Sequence, residues 1–207
     1  FAYEGWILAT SINSEIKITN AAIAYKQIPF TVPDIKFIAN ITNATSKNIA
    51  LPVVPVSFNL SRLDFTGCDI FEVVESILQK YKIDREYIRV EITESIMASD
   101  SYIQHEIERF RLVGYEVWMD DFGSGYSSLN TLKDYKFDEL KIDMAFLSNF
   151  NDVSRTIISS MVRMAKSLGL KTLAEGVETK EQMEFLKSIG CEKVQGYYYG
   201  KPQPLKA

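Results

Sequence analysis

The chain has 207 residues, 46% of them hydrophobic and 24% charged, with a formal net charge of −4. That length and apolar content suit one well-buried domain and are short for two. An acidic balance without a basic stripe excludes binding to polymeric nucleic acid or to an anionic membrane through bulk charge.

No apolar run reaches the roughly 18 residues of a membrane-spanning helix, and no signal-peptide pattern is present. Cys68 and Cys191 stand far apart and outside any metal-binding or redox spacing. The expected setting is a reducing cytoplasm with both thiols free and buried, in a parent protein that can carry membrane segments elsewhere. The sequons at Asn40, Asn43 and Asn59 are then coincidental, because glycosylation needs a secretory route.

In chain order, the first fifty residues carry weak signals. Gly5–Thr10, Glu15–Thr19 and Lys36–Ile41 have the β-branched and aromatic content of short strands, with Pro29 and Pro33 marking irregular chain between them. From residue 51 a regular alternation begins. Strand-like runs VPVSFNL, YIRVEIT, EVWMDDF, ELKID, TLAEGV and KVQGYYY are separated by helical patterns predicted at Ile70–Lys82, Tyr102–Leu112, Ser127–Tyr135, Ser154–Leu168 and Lys180–Ile189. In the fourth helix Ile157, Ile158, Met161, Val162, Met164, Ala165 and Leu168 recur at helical spacing, leaving Arg155, Arg163 and Lys166 on other faces. Thr179 with Gln182 reads as a capping box, and Gly114, Gly169 and Gly190 read as helix stops. Repeated strand, helix and glycine stop predict βα units on a parallel sheet.

Each strand-like run ends near a polar residue: Asn59, Glu91, Asp120-Asp121, Lys141, Glu175 and Gln195. A doubly wound sheet would gather its ligand groups at one crevice behind a glycine-rich turn. Polar groups supplied by six separate strands fit the mouth of a closed barrel instead. A complete eight-strand barrel would need two further strands from residues 1–50.

Several carboxylates in one mouth repel each other and raise one another's pKa unless cations intervene. Oxygen donors without cysteine, and with the one histidine, His105, placed on a helix, suit Mg²⁺ or Mn²⁺. Two such ions clamp the attacking and leaving oxygens of a phosphoryl displacement, so phosphodiester hydrolysis is the indicated reaction class.

At these residues the chain resembles the EAL family of cyclic di-GMP phosphodiesterases. VSFNLS, EITES, DDFGSGYSSL, LKID, AEGVET and QGYYYGKP stand in the family's order and spacing over residues 51–204, while residues 1–50 match poorly. The resemblance implies one EAL-like domain over residues 1–207. Its fold would be a TIM-like (β/α)₈ barrel of the EAL type with one antiparallel strand and a diverged or incomplete N-terminal part. Its activity would be hydrolysis of cyclic di-GMP to linear pGpG with two Mg²⁺ or Mn²⁺ ions.

Carried onto this chain, the resemblance makes Asn59, Glu91 and Asp120 ligands of one metal and Asp120, Asp121 and Glu175 ligands of the other. Lys141 becomes the active-site lysine and Gln195 a residue that positions water and metal. Glu94 would hold the loop that follows, in which Phe122, Gly123, Ser124 and Gly125 serve metal and substrate binding. Homodimerisation and upstream sensory or GGDEF domains in the parent protein are further implications.

The Glu-Ala-Leu signature itself is absent. Its glutamate normally completes the first metal's shell, and neither Glu4 nor Glu15 restores the motif. A domain that binds cyclic di-GMP as a sensor without cleaving it is therefore the alternative. Taken singly the residues have plainer readings. Lys141 pairs with Asp143 or Glu139, Asn59 and Gln195 satisfy backbone groups, Gly123-Ser-Gly125 is a turn, and Tyr197, Tyr198 and Tyr199 alternate between core and rim.

Overall fold

The computed structural model describes residues 10–11, 55–93, 96, 101–123 and 128–201. In chain order its elements are β1 (Thr10–Ser11), β2 (Val56–Leu60), α1 (Arg62–Gly67), α2 (Ile70–Tyr81), β3 (Ile88–Thr93), α3 (Ser101–Leu112), β4 (Glu116–Phe122), α4 (Ser128–Asp134), β5 (Glu139–Ile142), α5 (Ala145–Ser148), α6 (Asp152–Ser167), β6 (Lys171–Ala174), α7 (Lys180–Ser188) and β7 (Lys193–Val194). A 3₁₀ turn at Arg85–Tyr87 leads into β3. The five predicted helices form where the periodicity puts them, with ends shifted by a residue or two. The short helices α1 and α5 were not anticipated, because one or two turns are too few to show an apolar period. Local side-chain hydrogen bonds start them: Asp64 accepts from the Ser61 amide at 2.7 Å, and Asp143 from the Ala145 amide at 2.6 Å.

The described residues fall into two compact units. One contains residues 55–93, 96, 101–118 and 129–136. In it β2 and β3 pair in parallel, Val56 opposite Ile88 through Leu60 opposite Ile92. Its core gathers Leu60, Val74, Leu78, Val90, Ile92, Ile103, Ile107 and Phe110. The Phe110 ring meets Phe71 edge-on at 5.2 Å and Tyr115 at 5.3 Å, so one fully buried ring ties α2 and α3 to the entry of β4. Gly114 makes that entry possible. It closes α3 at φ +101, a conformation that side chains with a Cβ rarely adopt.

The other unit contains residues 10–11, 119–123, 128 and 137–201. Its strand order is β4-β5-β6-β7-β1. β5 pairs in parallel with β6, Leu140 opposite Thr172, and β6 in parallel with β7, Leu173 opposite Lys193. β1 is antiparallel to β7, Thr10 opposite Val194. α6 buries Ile158, Val162 and Ala165. Asn151 caps its start by accepting from the amides of Val153 and Ser154 at 3.0 Å, and the Thr179 capping box at α7 forms as expected. Arg155 turns toward α7, where it pairs with Glu181 and lies 4.2 Å above the Phe150 ring.

Four expectations are corrected. Cys68 is exposed, because it follows the end of α1 and faces outward; Cys191 is fully buried, which pushes its thiol pKa up to about 11. Ile157 and Leu168 are exposed: the first is one position off the Ile158–Val162–Ala165 stripe, and the second caps the helix beyond its last turn. The last strand stops at Val194, since Gly196 turns the chain. Tyr197 and Tyr198 are consequently exposed in a turn and do not alternate between core and rim.

The expected strands at Glu15–Thr19 and Lys36–Ile41 lie outside the described residues, as does Gly5–Thr10 apart from Thr10. Among the described residues no helix is long and apolar enough to cross a membrane. Removing the ring that joins α2, α3 and β4 should be costly. Phe110→Ala is expected to lower the unfolding free energy by about 3–5 kcal/mol in urea titrations.

Candidate metal centre

A regular strand sends neighbouring side chains to opposite faces, so adjacent aspartates in β4 should point apart. The backbone prevents this at Asp121, whose φ of +54 takes it out of strand geometry. The Asp120 carboxylate, almost wholly buried, accepts the Asp121 amide at 3.1 Å. Both carboxylates thereby serve one locus. Oxygens of Asp120, Asp121 and Glu175 lie within 4.8 Å of one another.

Register brings the third acid in. Lys141 on β5 stands opposite Leu173 on β6, so Glu175, two residues past Leu173, returns to the face that carries Lys141. Its amide still extends the ladder, donating to the Ile142 carbonyl at 3.1 Å. The Lys141 ammonium, with only 7% of its side chain exposed, lies 2.7 Å from Asp120 Oδ1 and 3.0 Å from Glu175 Oε1. Its nearer sequence neighbours Glu139 and Asp143 have contacts of their own. Glu139 is held by Lys193 at 2.6 Å, and Asp143 accepts from the Ala145 amide.

Three carboxylates around one ammonium leave excess negative charge. The Asp121 carboxyl feels it: burial, then the neighbouring Asp120 and Asp143, push its pKa above the usual carboxylate value, and Lys141 offsets them only in part. Asp143 is the group the sequence reading undervalued, since LKID was read for its lysine. Gln195 follows β7 half-buried, its amide donating to the Ala174 carbonyl at 2.9 Å beside the Glu175 segment. Phe122 is buried. Gly123 has φ +95, a backbone conformation that L side chains rarely adopt, and a Cβ there would stand 2.6 Å from the Phe146 ring.

In the other unit, Asn59 and Glu91 are register partners on β2 and β3 and so share a face. Asn59 Oδ1 is buried with no hydrogen-bond partner among the described residues, and Glu91 is almost fully buried. His105 is exposed on α3. Glu94, Ser124 and Gly125, like Glu4 and Glu15, lie outside the described residues.

The EAL domain family model matches residues 35–202. The chain belongs to the EAL domain family. It is 37% identical over 154 residues to the bifunctional diguanylate cyclase/cyclic di-GMP phosphodiesterase MucR of Pseudomonas aeruginosa, covering 73% of this chain and 22% of MucR. The solved MucR phosphodiesterase–cyclic di-GMP complex superposes with a TM-score of 0.73 at 32% identity, covering 82% of this chain and 69% of that one. The EAL domain of Mycobacterium smegmatis DcpA superposes with a TM-score of 0.81 at 26% identity, covering 97% and 91%. A calcium and cyclic di-GMP complex of Klebsiella pneumoniae BlrP1 gives 0.68 at 26% identity, covering 80% and 43%.

This EAL domain accordingly has the family's TIM-like barrel fold. It spans about a fifth of the length of the curated relatives it matches. The residues present fit divalent cations. Asp120, Asp121 and Glu175 offer only hard oxygen donors, and their mutual repulsion favours a cation between them.

Burial and charge crowding at Asp121 together have a pH signature. A carboxyl whose pKa rises on folding binds its proton more tightly folded than unfolded, so its ionisation costs stability as pH rises from the ordinary carboxylate value through the raised one. In EDTA, Asp121→Asn should therefore have a higher urea midpoint than the native chain at pH 7. That advantage should fade as pH falls through the carboxylate range. A lower midpoint at pH 7 would contradict the crowding.

Proposed function

We propose that this EAL domain is a Mg²⁺- or Mn²⁺-dependent phosphodiesterase that hydrolyses cyclic di-GMP to linear pGpG. The observation that carries the reading is the convergence of Asp120, Asp121 and Glu175 around a buried lysine. Relatives named as cyclic di-GMP phosphodiesterases support the substrate. The proposed ligands are Asn59, Glu91 and Asp120 for one ion and Asp120, Asp121 and Glu175 for the other. Bound ions would neutralise phosphate charge and make hydroxide available at neutral pH.

The chain's own groups do the remaining work in this reading. Lys141 holds the attacking water or the charge that develops on the phosphate oxygens, and Gln195 orients water with its amide. Glu94 holds the loop in which Phe122, Gly123, Ser124 and Gly125 meet metal and substrate. Water oxygen bonds to phosphorus as a ribose oxygen leaves, and the ring opens to a linear dinucleotide. We place the domain, as a single unit over residues 1–207, in the cytoplasm within a larger signalling protein that carries sensory or GGDEF domains, and as a homodimer.

A second reading has one specific observation in its favour. The chain lacks the Glu-Ala-Leu sequence, and losing a ligand carboxylate weakens a metal site. On that reading the domain binds cyclic di-GMP as a sensor and does not cleave it.

Purified protein with Mn²⁺ should release pGpG, detected by chromatography, and EDTA should stop it. Asp120→Asn should lower kcat about a hundredfold or more, since loss of a ligand exceeds the loss of its supporting contacts. A folded protein that binds cyclic di-GMP tightly with Ca²⁺ and shows no turnover in either metal would instead establish the sensor. Lys141→Met separates charge from chemistry. It removes a cation from the metal locus, so Mn²⁺ affinity should hold or rise while turnover falls.

A further inference from the structure

Gly176 follows Glu175 directly and has φ +72. A Cβ there would stand 2.4 Å from the Cβ of Met144 and 3.2 Å from its Cα. Neither atom is the far end of a flexible side chain, so a methyl group at 176 must displace backbone. Met144 follows Asp143 at the end of β5, which makes this a contact between the segments that leave β5 and β6.

The opposite flank of the Glu175 segment is held as closely. Val177 donates its amide to the Gln195 carbonyl at 2.9 Å and accepts from the Tyr198 amide at 2.9 Å. Gly196 lies flat on the Val177 peptide, where a Cβ would be 2.2 Å from its carbonyl oxygen. Residues 175–177 are thus wedged between the segment after β5 and the segment after β7, with Gly176 and Gly196 as the two contact points. The wedge fixes the backbone from which Glu175 reaches Lys141.

We infer that Gly176 is a positioning residue: its contact with Met144, possible only without a Cβ, sets where the Glu175 carboxylate stands relative to Asp120 and Asp121. Its use in metal binding rests on the functional reading above; the geometric claim does not. A glycine needed only for its backbone angle would give a different result from one needed for the contact. Met144→Gly removes the colliding Cβ and leaves the angle unchanged, and glycine is tolerated at the N-cap position that Met144 occupies.

Mn²⁺ binding to the intact chain, read by electron paramagnetic resonance, tests this without turnover. Gly176→Ala should weaken Mn²⁺ binding about tenfold or more, the scale for disturbing a group that orients a ligand. Adding Met144→Gly should return most of the lost affinity. Native-like binding in Gly176→Ala, or no recovery in the pair, overturns the inference. If circular dichroism shows Gly176→Ala unfolded, the pair decides: a folded, Mn²⁺-binding pair upholds the contact, and an unfolded pair overturns it.

If the native chain takes up no Mn²⁺, the metal reading fails and a metal-free measurement decides the positioning claim. In EDTA, the urea-midpoint shifts of Gly176→Ala and Glu175→Gln should combine to less than their sum, because both disturb one contact with Lys141. Additive shifts overturn the inference.

Discussion

One buried ammonium organises the centre. Lys141 lies within 3.0 Å of both Asp120 and Glu175, the acids carried at the ends of β4 and β6. A lysine so far removed from water keeps its charge only beside opposite charge, and buried carboxylates stay ionised only beside a cation. Each group therefore makes the others tolerable. The compensation is incomplete: with Asp121 included, three carboxylates face one ammonium, and burial together with the neighbouring Asp120 and Asp143 pushes the Asp121 pKa up. A divalent cation is the natural remedy, and this connects the electrostatics of the fold to the proposed chemistry.

Backbone conformation aims these charges. The left-handed turn at Asp121 breaks the alternation of β4, and parallel register carries Glu175 to the Lys141 face. Gly123 and Gly176 stand where a Cβ would collide with Phe146 and Met144. Strain of this kind persists where surrounding structure over-determines it. Here the surroundings are the ladder hydrogen bonds that continue past the strand ends, from Glu175 to Ile142 and from Gln195 to Ala174. The segments that leave the strands are fixed almost as firmly as the strands, and a metal-binding locus needs that precision.

Family membership and the missing signature pull in different directions. The family match over residues 35–202 spans all six of the later signatures. The Glu-Ala-Leu sequence is absent from the chain. Whether the remaining ligands sustain turnover is a question of metal affinity.

Sequence alone sets the alternation of strand and helix from residue 51, the glycine stops, the capping box at Thr179 and the identity of the acids. Each is written in local spacing, which a chain displays before it folds. It could not show that Lys141 bridges Asp120 and Glu175, because partners 21 and 34 positions away are chosen by strand register. Nor could it show the turn at Asp121, the exposed tyrosines after Val194, or the closeness of Gly176 to Met144. Those depend on which backbones come together, and only tertiary packing decides that.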